Sequence, residues 1–215
     1  MLIELKESLK GTAIWRQVLK PIRAERENAI WRSAGSPTPP PHSIKARNIL
    51  CLADLYQIDT LVETGTFRGD MIAATKNRFR QIISIEVYEP LAQAAADKFS
   101  RDANVKIICG DSAEVLPDVA RQLSTPAVFW LDGHYSGPST GTSTVETPIL
   151  AEIESLATLR RGMRDVILID DARAFGTERD YPPLEDFVER LSEIFARRPI
   201  IANDAIIVLP SSEAA

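Results

Sequence analysis

The chain predicts an α/β fold: a doubly wound, mostly parallel seven-stranded Rossmann-like sheet that ends in an antiparallel hairpin, preceded by an N-terminal helical arm. Three observations carry this reading. Short apolar runs alternate with amphipathic helical segments from about residue 43 onward. One run ends in Val62-Glu63-Thr64-Gly65-Thr66-Phe67-Arg68-Gly69-Asp70, an acid followed by a turn through two glycines into a helix. The last two apolar runs, about 199–202 and 205–209, are separated by Asn203-Asp204, which suits a tight hairpin turn.

Residues 2–32 read as helix, interrupted near Gly11 and Pro21, with Leu2, Leu5 and Leu9 on one face and Ile14, Val18 and Ile22 on another. The segment Gly35-Ser36-Pro37-Thr38-Pro39-Pro40-Pro41 reads as a stiff, extended linker, because each proline fixes φ and deters helix at the residue before it. It divides an arm and linker, 1–42, from a domain spanning 43–215. The spacing then predicts helix 43–56, strand 60–63, helix 69–78, strand 81–86, helix 89–99, strand 104–108, helix 112–122 and strand 126–131. A helix follows from Pro148, where proline suits the first turn, then strand 165–170 and helix 183–196. In that last helix Leu184, Phe187, Val188, Leu191, Ile194 and Phe195 recur at core-facing spacing.

At 215 residues the chain suits one α/β domain with an appendage. A net charge of -5 argues against a nucleic-acid footprint, which depends on clustered Lys and Arg. No apolar run approaches the roughly 20 residues that span a bilayer, and Glu4 and Glu7 stand where a secretory signal would be basic and then apolar. Cys51 and Cys109 lie in apolar stretches without metal-ligand spacing, so a reduced, cytoplasmic setting is expected.

The glycine turn points to a bound ligand. Glycine lets backbone N–H groups approach where a β-carbon would collide, and the helix start after it presents partial positive charge. The dinucleotide fingerprint is reduced to Gly65-x-x-x-Gly69, and Glu63 would set a negative charge where a pyrophosphate should lie. A zwitterion tolerates that neighbour better, its ammonium steered by Glu63 and its carboxylate held by the amides. S-adenosylmethionine (SAM) fits this description. The second strand ends at Glu86, 23 residues after Glu63, close to the roughly 20-residue offset at which a carboxylate meets ribose hydroxyls. A solvated strand-end acid is the plainer alternative.

Taken with the terminal hairpin, Val62-Glu63-Thr64-Gly65-x-x-Arg68-Gly69 resembles the first motif of the macrocin O-methyltransferase group, metal-dependent class I SAM-dependent methyltransferases that act on sugar hydroxyls. The resemblance covers about residues 45–209. It departs from the group in the loop after the second strand and in the wording of the fourth-strand motif. It implies a cofactor set of Glu63, Thr64, Gly65, Thr66, Arg68, Gly69, Glu86, Asp111, Ser112 and Asp132. Within that set the hydroxyls of Thr64 and Thr66 suit the cofactor carboxylate, and Arg68 either joins them or faces water. Asp111, closing Cys109-Gly110-Asp111-Ser112, would meet the adenine amino group. It is equally suited to cap the next helix, and both roles can hold at once.

Acids also end the fourth and fifth strands, in Asp132-Gly133-His134-Tyr135 and in Asp170-Asp171. On neighbouring strands, about 4.8 Å apart, these carboxylates would converge at the sheet edge where open α/β folds bind ligands. Like charges held close favour a hard divalent cation. The resemblance implies Mg²⁺ there, held by Asp132, Asp170 and Asp171, unless these residues cap helices or pair with Arg173. His134 suits a general base beside Asp132, or a fourth metal ligand. His42 carries no assigned role. The polar stretch 136–148 reads as a lid over the site or as an idle loop. The arm, with Trp15 and Trp31, presents apolar faces that predict contact with a second copy of the chain or a cover over the acceptor pocket.

The expected activity is Mg²⁺-assisted methyl transfer from SAM to a hydroxyl of a sugar or glycosylated small molecule. A non-catalytic module on the same fold, and a dinucleotide-dependent oxidoreductase, are the competing classes. The first is opposed by the acid set with His134, the second by Glu63, the reduced glycine pattern and the hairpin.

Overall fold

Strand burial tracks position in the sheet. In the computed structural model, which describes residues 20–133, 148–178 and 181–210, the sheet order is β3-β2-β1-β4-β5-β7-β6. Along the chain α1 (Lys20–Ser33) and α2 (His42–Tyr56) lead into β1 (Thr60–Thr64), then α3 (Asp70–Thr75), β2 (Gln81–Glu86), α4 (Glu89–Lys98), β3 (Val105–Cys109), α5 (Ser112–Gln122) and β4 (Val128–Leu131). Next come α6 (Ile149–Leu159), β5 (Val166–Ile169), a 3₁₀ turn (Ala172–Ala174), α7 (Leu184–Phe195), β6 (Ile200–Ala202) and β7 (Ala205–Val208). The five inner strands are buried almost throughout, as apolar runs covered on both faces must be, while the edge strands β3 and β6 are partly exposed.

Side-chain alternation splits the core into two layers. On one face Val62, Ile85, Phe129, Leu131 and Ile169 pack with Leu116, Ile153, Leu156, Phe187 and Leu191 from α5, α6 and α7. On the other, Leu61, Ile82, Trp130 and Leu168 pack with Ile49, Ala53 and Ile72 from α2 and α3, and with Phe99. Each fully buried aliphatic side chain contributes about 1.5–3 kcal/mol relative to exposure, so both helical layers are required. Strands β1 to β5 pair in parallel, and β7 pairs antiparallel with both β5 and β6.

The expected architecture is the observed one, with differences at element ends. Helix α3 stops at Thr75 rather than 78, because the chain turns there: the Arg78 amide donates to the Thr75 carbonyl at 2.9 Å. The closing hairpin turns through Asn203 (φ 51) and Asp204 (φ 63), the paired left-handed residues of a two-residue connection. Of the six apolar positions predicted for α7, Phe187 and Leu191 are buried, and Leu184, Ile194 and Phe195 pack partly buried against the same core.

One expectation is corrected. Cys51 and Cys109 are exposed, not embedded in apolar surroundings: Cys109 ends the edge strand β3, and Cys51 lies two positions beyond the buried Ile49 on α2. The start of the arm, with Trp15, lies outside the described residues. Its last part, α1, is tied to the linker and to α2: Trp31 Nε1 donates to the Pro37 carbonyl at 2.7 Å, and Ser43 Oγ donates to Asn28 Oδ1 at 2.7 Å. No described helix is long and apolar enough to cross a membrane.

Candidate functional site

The chain reverses its direction of winding between β1 and β4, and a crevice opens at the carboxyl ends of those strands. The glycine turn forms one wall. The Gly65 amide donates to the Ile85 carbonyl at 2.9 Å, and Gly65 takes φ +85. A β-carbon there would run into the backbone of Asp132, so the turn and the end of β4 can be this close only with glycine. At Gly69 (φ +68) a β-carbon would stand 2.5 Å from the Phe99 ring.

Glu86 ties this turn to β2. Its carboxylate accepts from the Phe67 amide at 2.7 Å and from the Tyr88 amide at 3.0 Å. An ionised carboxylate has about four acceptor sites, so two such bonds leave capacity for ribose hydroxyls. Asp111 caps α5, accepting from the Ala113 amide at 2.9 Å, with Ser112 buried beside it.

Glu63 differs from its sequence reading. It is buried, and accepts from Ser84 Oγ at 2.5 Å, which also shares a hydrogen bond with Thr66 Oγ1 at 2.6 Å. Burial pushes its carboxyl up to about 8; the Ser84 hydroxyl opposes this, and Asp132, Glu86 and Asp70 add to it. Near neutral pH it is therefore largely protonated, a polar contact rather than the anion that would steer an ammonium.

Opposite the turn stand the acids. The Asp132 amide donates to the Thr64 carbonyl at 3.1 Å and the Asp170 amide to the Leu131 carbonyl at 3.0 Å, so adjacent strands deliver both residues to one edge. One carboxylate oxygen from each of Asp132, Asp170 and Asp171 lies within 4.8 Å of the others. Asp171 sits at φ 55 before the 3₁₀ turn, an uncommon conformation for a non-glycine residue.

Two cations offset this cluster. Lys45, from α2, donates to Asp170 Oδ2 at 2.5 Å and to Asp171 Oδ1 at 3.1 Å. Arg173 donates to Asp171 Oδ1 at 2.7 Å and also pairs with Asp204, whose Oδ1 accepts from the Arg173 amide at 3.0 Å. The pairing of an acid with Arg173, one of the alternatives read from sequence, is thus present. Asp170 Oδ1 remains buried without a hydrogen-bond partner. Burial pushes the Asp170 carboxyl up, Asp132 and Asp171 add to this, and Lys45 pulls it back. Burial opposes the Lys45 ammonium, but Asp170, Asp171 and Asp132 together outweigh it and hold the amine above its ordinary value.

A cavity of about 360 Å³ joins the two walls. Glu63, Gly65, Thr66 and Arg68 line it from the turn, and Asp132, Asp170 and Asp171 from the acid side. Thr64, Gly69, Glu86, Asp111 and Ser112 are not among its lining residues. Pro39, Pro40, His42 and Lys45 supply a third wall that sequence reasoning did not assign. Nor was Glu152 on α6 foreseen: it is buried, and burial lifts its carboxyl to about 7, against Ser112 and Thr64 and aided by Asp111 and Asp132. Its Oε1 and Thr64 Oγ1 have no hydrogen-bond partner of normal geometry. Lys45 and Glu152 sit on ordinary amphipathic helices, so no local signal marked them. His134 and residues 136–147 of the expected lid lie outside the described residues.

The residues present fit both SAM and a dication. The Gly65 turn is a cradle that a β-carbon would fill. An all-carboxylate donor set with an unpartnered buried oxygen suits a hard, oxygen-seeking dication.

No family model and no curated protein matches this chain. Solved structures do. An O-methyltransferase from Bacillus cereus in complex with SAH (S-adenosylhomocysteine) is 14% identical, with 95% of each chain covered and a TM-score of 0.55. The O-methyltransferase TomG from Streptomyces achromogenes, involved in tomaymycin synthesis and in complex with SAM, is 17% identical, covering 87% of this chain and 89% of its own, at a TM-score of 0.52. The SAH-bound Podospora anserina methyltransferase PaMTH1 is 14% identical over 76% of each chain, at a TM-score of 0.51. The chain has the Rossmann-like methyltransferase fold.

Proposed function

We propose that this protein is a SAM-dependent O-methyltransferase, assisted by Mg²⁺, that methylates a hydroxyl of a sugar or glycosylated small molecule. One observation carries the reading: the glycine turn and the acid trio face the same cavity, and Asp132 borders both. The fold likeness to O-methyltransferases crystallised with SAM or SAH supports it.

In this reading Gly65, Thr66 and Arg68 hold the methionine end of the cofactor, with Thr64 and Gly69 shaping the turn behind them. Glu63 contributes a neutral hydrogen-bonding carboxyl. Glu86 offers its remaining acceptor sites to the ribose, and Asp111 with Ser112 borders the adenine. Asp132, Asp170 and Asp171 hold the dication, which when bound supplies Lewis-acid polarisation of the acceptor hydroxyl. Asp132 orients the acceptor side of the cavity, and His134 takes the proton. A cavity of this size, low in the usual range for ligand sites, suits a small acceptor or one ring of a larger one. A non-catalytic module would not require three converging acids.

The partner is a hydroxylated small molecule in a cytoplasmic setting, without nucleic acid. On α1, Ile22 and Ile30 are 61% and 58% exposed, which supports the arm as a contact between copies of the chain.

Calorimetry with SAH and with NAD separates this reading from an oxidoreductase. Transfer of labelled methyl from SAM to a panel of hydroxylated sugars, with Mg²⁺ and with chelator, separates it from a binding module. SAH binding, no NAD binding and Mg²⁺-dependent transfer are expected. A chain that binds NAD but not SAH would overturn the proposal.

A further inference from the structure

Resting on the reading of Asp132, Asp170 and Asp171 as the dication set, we infer that Lys45 is a tethered cation that occupies this set when no dication is bound. It must be displaced for the ion to enter, and so it sets the affinity of the site.

The geometry distinguishes Lys45 from a surface ion pair. Its side chain is 15% exposed, against 2% for Asp170 and 10% for Asp171. It reaches the cluster from α2, and its ammonium contacts two of the three acids at once, at 2.5 and 3.1 Å. Both contacted oxygens belong to the three carboxylates that would hold a dication. An ammonium and a dication cannot share them, because two cations at such separation repel strongly in a partly desolvated site.

The second cation behaves differently. Arg173 is held from behind by Asp204, through its guanidinium and its own backbone amide, and Asp204 is almost fully buried in the β6–β7 turn. Arg173 is therefore anchored. Among the described residues, the hydrogen-bond partners of the Lys45 ammonium are Asp170 and Asp171 alone. It hangs on a four-carbon stem with several rotatable bonds, and it lines the open cavity into which it could withdraw.

Charge balance favours the exchange. With Lys45 in place, Asp170 Oδ1 stays buried and unpartnered, and Arg173 divides its charge between Asp171 and Asp204. A dication in place of the Lys45 ammonium adds one positive charge to a cluster of three acids and offers that oxygen a ligand bond. The exchange also couples the ion to α2, whose first turn carries His42 on the same cavity wall.

The test is Mn²⁺ binding to the full chain, measured by calorimetry and by the electron paramagnetic resonance signal of free Mn²⁺. Lys45→Gln and Lys45→Met are expected to bind Mn²⁺ at least tenfold tighter than wild type. Lys45→Arg, which keeps the charge, is expected to stay within threefold, and Asp170→Asn in any background to abolish binding. If Lys45→Gln and Lys45→Met bind no tighter than wild type, Lys45 does not compete and the inference fails, while the dication reading stands. If neither wild type nor any Lys45 variant binds Mn²⁺, the dication reading fails and takes the inference with it. Two neutral replacements of different polarity guard against one of them failing to fold.

Discussion

Gly65 packs so closely on Asp132 that a β-carbon would stand 2.9 Å from the Asp132 carbonyl carbon and closer still to its oxygen. The cofactor turn after β1 and the acid after β4 are thus one packing unit. Gly65→Ala combines this collision with a left-handed backbone, which alone costs a non-glycine residue about 1–2 kcal/mol. The variant is expected to lose at least about 2 kcal/mol of stability and its affinity for SAH. Urea denaturation and calorimetry measure both, and wild-type values for the variant would mean that the turn relaxes away from Asp132.

Glu63 makes stability depend on pH. Its carboxyl is lifted from 4.5 to about 8 in the folded chain, so the native state holds a proton that the unfolded state has released. The associated stability is complete below about 4.5 and is lost as the pH rises through about 8. Each displaced pH unit corresponds to about 1.4 kcal/mol. Denaturation midpoints are expected to fall between about pH 5 and about pH 8.5, and Glu63→Gln, which carries no titrating group, to flatten that slope. A slope unchanged in the variant would show that Glu63 ionises normally.

Glu152 adds a smaller effect of the same sign, with its carboxyl at about 7. Glu152→Gln is expected to match wild type near about pH 4 and to exceed its stability by about 1 kcal/mol or more at about pH 8.5. Thermal melts at the two pH values decide it. Equal gains for Glu152→Gln at both would remove ionisation as the cause.

Asp170 separates cofactor binding from metal dependence. It lies beyond β5 with one unpartnered oxygen, whereas the glycine turn comes after β1. Asp170→Asn is expected to abolish Mg²⁺-stimulated transfer, a loss of at least about a hundredfold, while SAH affinity stays within about threefold. Transfer that persists at the wild-type rate, with or without chelator, would exclude a metal role for this carboxylate.

The layers, the parallel sheet with its hairpin, the glycine turn and the acids at two strand ends were all legible in the chain. These features obey short-range rules: side-chain periodicity, the left-handed tolerance of glycine and the Asn203-Asp204 turn. The charge states and their compensation emerged only on folding. Lys45 stands 125 residues from Asp170 in sequence, and Arg173 is held by Asp204, 31 residues away, so no local pattern could pair them. Glu63 reads as an anion in the chain and becomes a largely neutral acid in the fold, because its ionisation depends on the water that folding removes.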